Sequence, residues 1–364
     1  MAITTTTQIA GPVNYVFQMN LLRNAKAHCP YFAGTVPAEI REHAGTFTAL
    51  WRRVENLTPT TTSLSELTGA VAFPTRTGSQ FSINDASATV QKYGDFVFLN
   101  EEVDLVNPNP LAAKYSEVLG IQAGRSLNRL QRNIAEDSLT AQFTGSSTTA
   151  TNVSFTPTAS GQLSLSSIAA VVNLLDRNDG SKFKPMTTGS QNIGTTPIRA
   201  AYLAMCHVDT TAHLRTLTGW NEVMTYAGQT ETWPGEVGHV GGVRFIESTE
   251  SSIDTGTGVA ATGSATAHGR QTATRYDVYN TVVYGQDALG SLGLGEEHVK
   301  EMYQAGDKLP GIMMISHNRG SAGTGDPLNE LSSMGWKSWH GGLVLNSGWG
   351  RCLRHPNANL TSLE

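Results

Sequence analysis

One uninterrupted helical pattern spans residues 110–143 and constrains the fold of this chain more than any other stretch. Asn109 can cap its first turn, and Pro110 stands at the first helical position, where a missing backbone N–H is tolerated. Such a helix would be roughly 50 Å long, whereas an average helix has about 11–12 residues. Apolar residues recur along it at helical spacing and form one stripe, consisting of Leu111, Tyr115, Val118, Leu119, Ala123, Leu127, Leu130, Ile134 and Ala141.

The rest of this predicted helix is divided between a polar face and two glycines. Gly120 and Gly124 each cost roughly 1 kcal/mol relative to alanine inside a helix. We therefore expect either that another segment approaches the backbone there or that the helix bends. The face opposite the apolar stripe carries Lys114, Glu117, Arg125, Asn128, Arg129, Arg132 and Glu136.

The segments that precede the helix have little apolar core of their own. Residues 1 to about 45 are predicted to form an arm with a polar run at residues 4–7, and residues 45–54 predict a strand with Phe47, Ala49 and Trp51 on one face. The expected partner strand lies within residues 86–99. Between the two lies an excursion of about 30 residues with few apolar anchors, which is unusual inside a compact domain. The excursion is either disordered or an extended hairpin that leans on another molecule.

Helices and strands alternate after the long helix. Residues 165–175 predict a second helix, with Ser164 or Ser166 as its cap and Asp179-Gly180 at its end. A short helix is expected after His207, and residues 251–274 read as an exposed loop of small residues. Strands are predicted at residues 197–206, 242–247, 279–285, 313–316 and 334–345.

Charge and cysteine content limit the functions that this chain can have. The 364 residues carry a net charge of −5, which argues against a dedicated nucleic-acid binder. Three widely spaced cysteines, Cys29, Cys206 and Cys352, form neither a disulfide framework nor a zinc knuckle, so synthesis in a reducing compartment is expected. We predict no signal peptide and, because no run of ~18 apolar residues occurs, no membrane partner.

Candidate chemical sites are weak. His207, Asp209 and His213 form an H-x-D-x-x-x-H pattern that could gather zinc or iron, and they define the alternative hypothesis of a metal-dependent hydrolase. Residues 320–325 (GSAGTG) look like a phosphate loop, but they lack the Lys-Ser/Thr ending and precede Asp326. We therefore predict no catalytic residue, no metal site and no cofactor.

An aromatic group near the C-terminus is the last candidate. Trp336, Trp339 and Trp349 lie close in sequence to His340 and His355 and could stack bases or sugars. Alternation along the predicted strand favours the simpler interpretation that these side chains fill a core.

The order of these segments resembles the major capsid proteins of tailed bacteriophages, whose fold is shared with encapsulin shells and the herpesvirus capsid floor. Several motifs are similar to those in capsid proteins of N4-like podoviruses, and the similarity spans roughly residues 46–353. The motifs are residues 91–97 (QKYGDFV), 118–124 (VLGIQAG), 235–245 (GEVGHVGGVRF), 283–288 (VYGQDA), 320–329 (GSAGTGDPLN) and 335–337 (GWK).

The resemblance implies an α+β capsid fold and a division of the chain. Its expected parts are an N-arm (1–45), an E-loop hairpin with flanking strands (46–100), a P-domain (101–195) with spine helix 110–143, mainly A-domain (196–325), and P-domain return strands with the C-terminus (326–364). An E-loop with little core would be stable because it lies on a neighbouring subunit.

The resemblance also implies a function and partners. The chain would assemble in the bacterial cytoplasm as hexamers and pentamers of the icosahedral virion shell. Its partners would be a portal protein, possible scaffolding and decoration proteins, and packaged double-stranded DNA bound without sequence specificity. An encapsulin-type compartment is the structural alternative, and the hydrolase at His207, Asp209 and His213 is the alternative from another class.

Overall fold

The computed structural model describes residues 29–40, 44–55, 57–61, 79–106, 111–145, 147–155, 161–183, 200–225, 232–261, 269–272, 274–294, 311–321 and 325–358. Most of the predicted arm and the middle of the predicted excursion, residues 62–78, lie outside these ranges. The described helices are α1 (Glu101–Val106), α2 (Leu111–Ser138), α3 (Leu165–Arg177) and α4 (Val208–Leu214). No described helix combines the length and the apolar character that crossing a membrane requires.

Seventeen strands accompany the helices in the described residues. They are β1 (Val36–Ile40), β2 (Thr48–Val54), β3 (Ile83–Thr89), β4 (Gln91–Asn100), β5 (Ala141–Phe143), β6 (Tyr202–His207), β7 (Asn221–Glu222), β8 (Glu236–Val240), β9 (Val243–Ser248), β10 (Ile253–Asp254), β11 (Gln271–Thr272), β12 (Arg275–Tyr276), β13 (Val278–Tyr284), β14 (Leu289–Leu294), β15 (Ile312–His317), β16 (Leu331–Val344) and β17 (Gly350–His355).

The strands form two sheets and two separate hairpins. A five-stranded sheet has the order β1-β14-β16-β15, and β4 also pairs with β16. An eight-stranded sheet has the order β5-β17-β13-β6-β9-β8-β7, with β10 on β13. β2 pairs only with β3, and β11 only with β12, among the described strands. The predicted α+β class is confirmed, because helices and mostly antiparallel strands are both present.

Helix α2 packs against both sheets and so joins them. Near its N-terminal half, Leu119, Ala123 and Leu127 pack with Met334 and Trp336 of the five-stranded sheet. Towards its C-terminal end, Ala135 and Leu139 join a second cluster with Leu203, Val282 and Cys352 of the eight-stranded sheet. Leu127 is completely buried. The long helix is therefore the element on which the rest of the fold is arranged, as the sequence predicts.

The predicted end of this helix at residue 143 is wrong. Helix α2 ends at Ser138, and residues 141–143 form β5, which pairs in parallel with β17. The backbone N–H of Cys352 donates to the carbonyl of Thr140 at 3.1 Å. The helix stops because this backbone is used by a strand about 210 residues later, a partner that local periodicity does not reveal.

Three residues of this helix were also assigned to the wrong face. Val118, placed in the apolar stripe, is 61% exposed, whereas Asn128 and Glu136, placed on the polar face, are buried. Asn128 Oδ1 accepts a hydrogen bond from the Tyr31 backbone N–H at 2.9 Å, which compensates the burial of this oxygen. The close approach expected at the mid-helix glycines is confirmed at Gly124, whose carbonyl accepts the Cys29 thiol at 3.3 Å.

The second helix begins where the sequence predicts. Of the two candidate caps, Ser164 is the one used, and it forms a capping box with Ser167 at the start of α3. Asp179 has a positive φ of 53° just after the helix, which ends the helical backbone before Gly180. The buried side chains of α3 pack on β6, β9 and β13 of the eight-stranded sheet.

The predicted partner of β2 is correct only in part. β3 ends at Thr89, and the expected single strand breaks at Val90, which is buried. The chain then continues as β4, which leaves the hairpin and pairs with β16 along ten residues, from Gln91 opposite His340 to Asn100 opposite Leu331.

Candidate functional site

The β2–β3 hairpin has one face packed on its own chain and one face in solvent. On the inner face, Ala49 and Trp51 pack on a cluster that includes Ile40 and Leu292 of the five-stranded sheet. Alternation along β2 turns Leu50 and the other even-numbered residues away from this cluster. The hairpin is therefore anchored at its base, while its second face has no partner among the described residues.

The solvent-facing side of the hairpin is partly apolar. Leu50, Val54 and Ile83 are each more than half exposed, and Val54 and Ile83 stand opposite each other across the two strands. Between them, Arg52 Nε donates to Asp85 Oδ1 at 2.9 Å, and this hydrogen bond lowers the pKa of the Asp85 carboxyl. We call Leu50, Val54 and Ile83 the hairpin outer face.

The apolar exposure continues at the open end of the hairpin. Phe81 is 73% exposed, just before β3, and Leu57 is 43% exposed, just after β2. A single exposed apolar side chain is ordinary, but a series of them along one hairpin is typical of a surface that contacts another molecule.

A second exposed apolar surface lies on the five-stranded sheet. On β4, Asp95 faces α2, because its carboxylate accepts the Gln122 side-chain amide. The neighbouring residues of β4 therefore face the other way. The Phe96 and Phe98 rings, 5.1 Å apart and T-shaped, are about 60% exposed there. Glycine at position 335 is required beside them, since a Cβ would lie 2.8 Å from Phe96 Cβ.

Strand β15 and the start of β16 extend this second surface. Register places Ile315 opposite Gly335, which is itself opposite Phe96, so the three residues form one row across the sheet. We call this surface the outer sheet face. Its apolar members are Phe96, Phe98, Met313, Ile315 and Leu331, all at least 39% exposed. Together they offer apolar surface on the order of 500 Å², which is large for a patch that remains in water.

The two surfaces lie on the same side of the five-stranded sheet. Phe47 at the base of the hairpin stacks on Trp339 of β16, with ring centroids 6.0 Å apart. The hairpin base thus covers the β1–β14 end of this side, and the outer sheet face at the β4–β15 end stays uncovered by the described residues.

Only two of the three candidate metal ligands are brought together: His207 Nδ1 lies 3.5 Å from Asp209 Oδ2. His207 Nδ1 accepts the backbone N–H of Asp209 at 3.1 Å and so caps α4. His213 points elsewhere, and its Nε2 donates to the Leu163 carbonyl at 3.1 Å. Burial lowers the pKa of both imidazoles. Within the described ranges, no three His, Cys, Asp or Glu side chains stand close enough to hold a metal ion.

Asp209 has a structural role instead. Its Oδ2 accepts hydrogen bonds from Arg270 and from the Tyr279 hydroxyl, each at 2.7 Å. These contacts fix the segment that carries β11 and β12 against β13. Because two donors already occupy Asp209 Oδ2 and His213 points elsewhere, the geometry does not favour the hydrolase.

A cleft beside α2 also lacks catalytic groups. It has a volume of about 420 Å³ and lies between α2 and the end of β16. Its lining contains one charged side chain, Arg53, which pairs with Glu55. Its residues are Arg53, Ile134, Ser138, Gly342, Leu343, Val344, Leu345, Asn346 and Ser347, so it offers no acid–base pair.

The C-terminal tryptophans belong to the core, as predicted. They do not form one platform, because they pack in three different clusters. Trp336 contacts α2 and donates to Gln122, while Trp349 Nε1 donates to the Asn178 carbonyl at 2.9 Å. The glycine-rich segment is described only in part, and there Asp326 accepts the backbone N–H of Leu331, as a turn would require.

Solved structures resemble this arrangement along most of the chain. The capsid of Ralstonia phage GP4 matches with a TM-score of 0.60 and 10% identity, covering 91% of this chain and 92% of that one. The capsid of cyanophage P-SCSP1u matches with a TM-score of 0.52 and 13% identity, over 89% and 86% of the two chains. The cyanophage Pam1 capsid also gives 0.52 at 13% identity, over 90% and 92%.

This chain has the fold of tailed-phage capsid proteins. No protein-family model matches the sequence, and no curated protein matches it. The three structures thus share this fold with the chain, although the sequence identity is only 10–13%.

The sequence pointed to the hairpin but missed the outer sheet face of this capsid fold. The run of four apolar residues from Phe96 to Leu99 reads as a strand buried on both sides, yet Phe96 and Phe98 are in solvent. A usable signal was Lys92, which alternation along the strand places on the same face as Phe96 and Phe98.

Proposed function

We propose that this chain is the major capsid protein of a tailed bacteriophage and that it assembles into the icosahedral shell around double-stranded DNA. The observation that carries the proposal is the capsid fold along about nine-tenths of the chain. Two exposed apolar surfaces on one subunit, the hairpin outer face and the outer sheet face, support it independently of that likeness.

Two different surfaces on one chain are what a head-to-tail assembly needs. If the hairpin of one subunit covers the outer sheet face of the next, each copy both gives and receives a contact, and rings of five or six can close. The apolar area of the outer sheet face is a substantial part of the ~800 Å² that each partner of a standard interface contributes. Enzymatic activity has no comparable support in the described residues.

The division of the chain follows from the same proposal. Residues 1–45 would be the N-arm, 46–100 the E-loop with its flanking strands, and 101–195 the P-domain with α2 as its spine. Residues 196–325 would be mainly A-domain, and 326–364 would return to the P-domain. The bare outer side of the β2–β3 hairpin is consistent with an E-loop that rests on a neighbouring subunit.

Further partners belong to the proposal as well. A portal protein, and possibly scaffolding and decoration proteins, would bind the shell, and the DNA would be bound without sequence specificity. Assembly would take place in the bacterial cytoplasm. The motifs at residues 91–97 and 235–245 support an affiliation with N4-like podoviruses, and superposition on such a capsid protein is expected to exceed the TM-score of 0.60 found for phage GP4.

The direct test is the size of the purified protein. We expect the full chain, expressed with its scaffold if it needs one, to form closed shells or tubes that light scattering detects as large particles. A protein that stays monomeric under these conditions at every concentration tested would contradict the proposed function.

A further inference from the structure

The turn after β9 is tied to helix α2 by a buried carboxylate. Glu250 is only 5% exposed, and its two carboxylate oxygens accept hydrogen bonds from Nε of Arg125 and Nε of Arg129 on α2. Arg132, one turn further along, donates to the Glu250 backbone carbonyl. Three arginines on one side of α2 thus hold a single residue of the turn.

The next two residues of the turn are held as well. Ser251 Oγ accepts the Tyr31 hydroxyl at 2.9 Å. Ser252 Oγ donates to Glu136 Oε2 at 2.6 Å and accepts from Asn280 on β13 at 2.7 Å. We call Glu250, Ser251 and Ser252 the 250–252 clasp. Because β9 enters it and β10 leaves it, the clasp joins the eight-stranded sheet to α2.

The charge of Glu136 is less well compensated than that of Glu250, which pairs with two arginines. Glu136 is 8% exposed, Arg132 lies 3.7 Å from its Oε2, and the Ser252 backbone N–H reaches its Oε1 only at 3.5 Å. Asp254 on β10 adds a like charge. Burial first, and Asp254 in addition, raise the pKa of Glu136 to about 7, although Ser252 and Arg132 oppose the rise.

Glu250 behaves differently in the same joint. Burial raises its pKa, but the hydrogen bonds from Arg129 and Arg125 outweigh burial and leave the pKa below its ordinary value. Glu250 therefore stays ionised across the neutral range. The other groups facing Glu136 are Tyr31 and Cys352, whose pKa values burial raises, so both remain uncharged there.

We propose that Glu136 makes the 250–252 clasp proton-sensitive: its neutral form keeps the turn on α2, and loss of its proton loosens the turn. The direction of this effect follows from the linkage between protonation of Glu136 and opening of the turn. The closed clasp binds the proton more tightly than the open turn, where the carboxyl returns to its ordinary pKa near 4.5. Opening is therefore suppressed in mild acid and becomes easier as the pH rises through 7.

The expected effect is large enough to measure. With a pKa of about 7 in the closed clasp and 4.5 in the open one, opening becomes about tenfold more frequent between about pH 6 and about pH 8. Amide hydrogen exchange of peptides covering residues 248–254 reports this opening once rates are corrected for the intrinsic effect of pH. The full-length chain is used in the same assembly state throughout.

Two substitutions separate Glu136 from general effects of pH. Glu136→Gln keeps the size and the hydrogen bond to Ser252 but cannot ionise, so protection of this peptide should not change with pH. Glu117→Gln is the matched control, because Glu117 lies exposed on the same helix beside Lys114, and it should behave as the natural chain.

The natural chain alone can overturn the proposal. Equal corrected protection at both pH values would mean that opening releases no proton. If the tenfold loss of protection persists in Glu136→Gln, a group other than Glu136 causes the pH dependence. Should Glu136→Gln fail to fold, Ser252→Ala removes a contact that lowers the pKa of Glu136, so the loss of protection must move to higher pH; an unmoved transition contradicts the proposal.

Discussion

Replacing the hairpin outer face should separate folding from assembly. The variant Leu50→Thr, Val54→Thr, Ile83→Thr keeps β-branched or strand-compatible residues at three positions that are each more than half exposed. Nearly half of each side chain is buried within the subunit, but threonine keeps part of that contact, so the free energy of unfolding should fall by only about 1–2 kcal/mol in total.

The same substitutions should weaken assembly much more. Covering the exposed part of each side chain in an interface is worth about 1 kcal/mol, so three of them contribute about 3 kcal/mol per contact. That corresponds to about a hundredfold in the association constant of each contact. The concentration at which light scattering first detects large particles should therefore rise steeply, while urea unfolding of the unassembled subunit changes little.

A reverse control lies on the other side of the same strand. Trp51 packs on the cluster of Ile40 and Leu292, so Trp51→Ala should lower the free energy of unfolding by about 2 kcal/mol or more. If the triple variant assembles at the natural threshold concentration, the hairpin outer face is not an interface, and the reasoning from its exposure is refuted.

Four further predictions concern the buried core, the buried histidines, the candidate metal ligands and DNA binding. Leu127→Ala should cost about 2–5 kcal/mol of stability and Leu127→Asp should unfold the chain, as circular dichroism melting would reveal, because the site is fully buried. Burial lowers the pKa of His340 and of His355 to about 4; the unfolded chain therefore takes up protons first, and urea unfolding should show stability intact above about pH 6.5 and lost as the pH falls towards 4. Elemental analysis of the natural chain should find no bound zinc or iron, and His207→Ala should leave the metal content unchanged. A mobility-shift assay at physiological salt should find only weak, sequence-independent binding to duplex DNA, since the net charge is −5.

Local sequence signals were sufficient for much of the fold. The apolar stripe of α2, a serine cap at the start of α3 and the apolar run of β13 were all predictable, because each depends on residues a few positions apart. The hairpin was also predictable in outline, since two strand-like segments flank an excursion without a core. Its inner face follows correctly from the alternation of Ala49 and Trp51.

The parts that could not be predicted depend on distant partners. Helix α2 stops early because β17 takes up residues 141–143, and Glu136 is buried because Ser252, 116 residues away, meets it there. The outer sheet face was missed for a different reason. Phe96 and Phe98 look like core residues in sequence, and only the sheet register reveals that their side faces away from α2.

A reconstruction of the assembled particle by electron cryomicroscopy tests the central claim most directly. We predict a closed icosahedral shell of five-fold and six-fold rings, in which the β2–β3 hairpin of each subunit covers Phe96 and Phe98 of the next. Particles without such rings, or a shell in which the outer sheet face and the hairpin outer face both remain in solvent, would contradict the account.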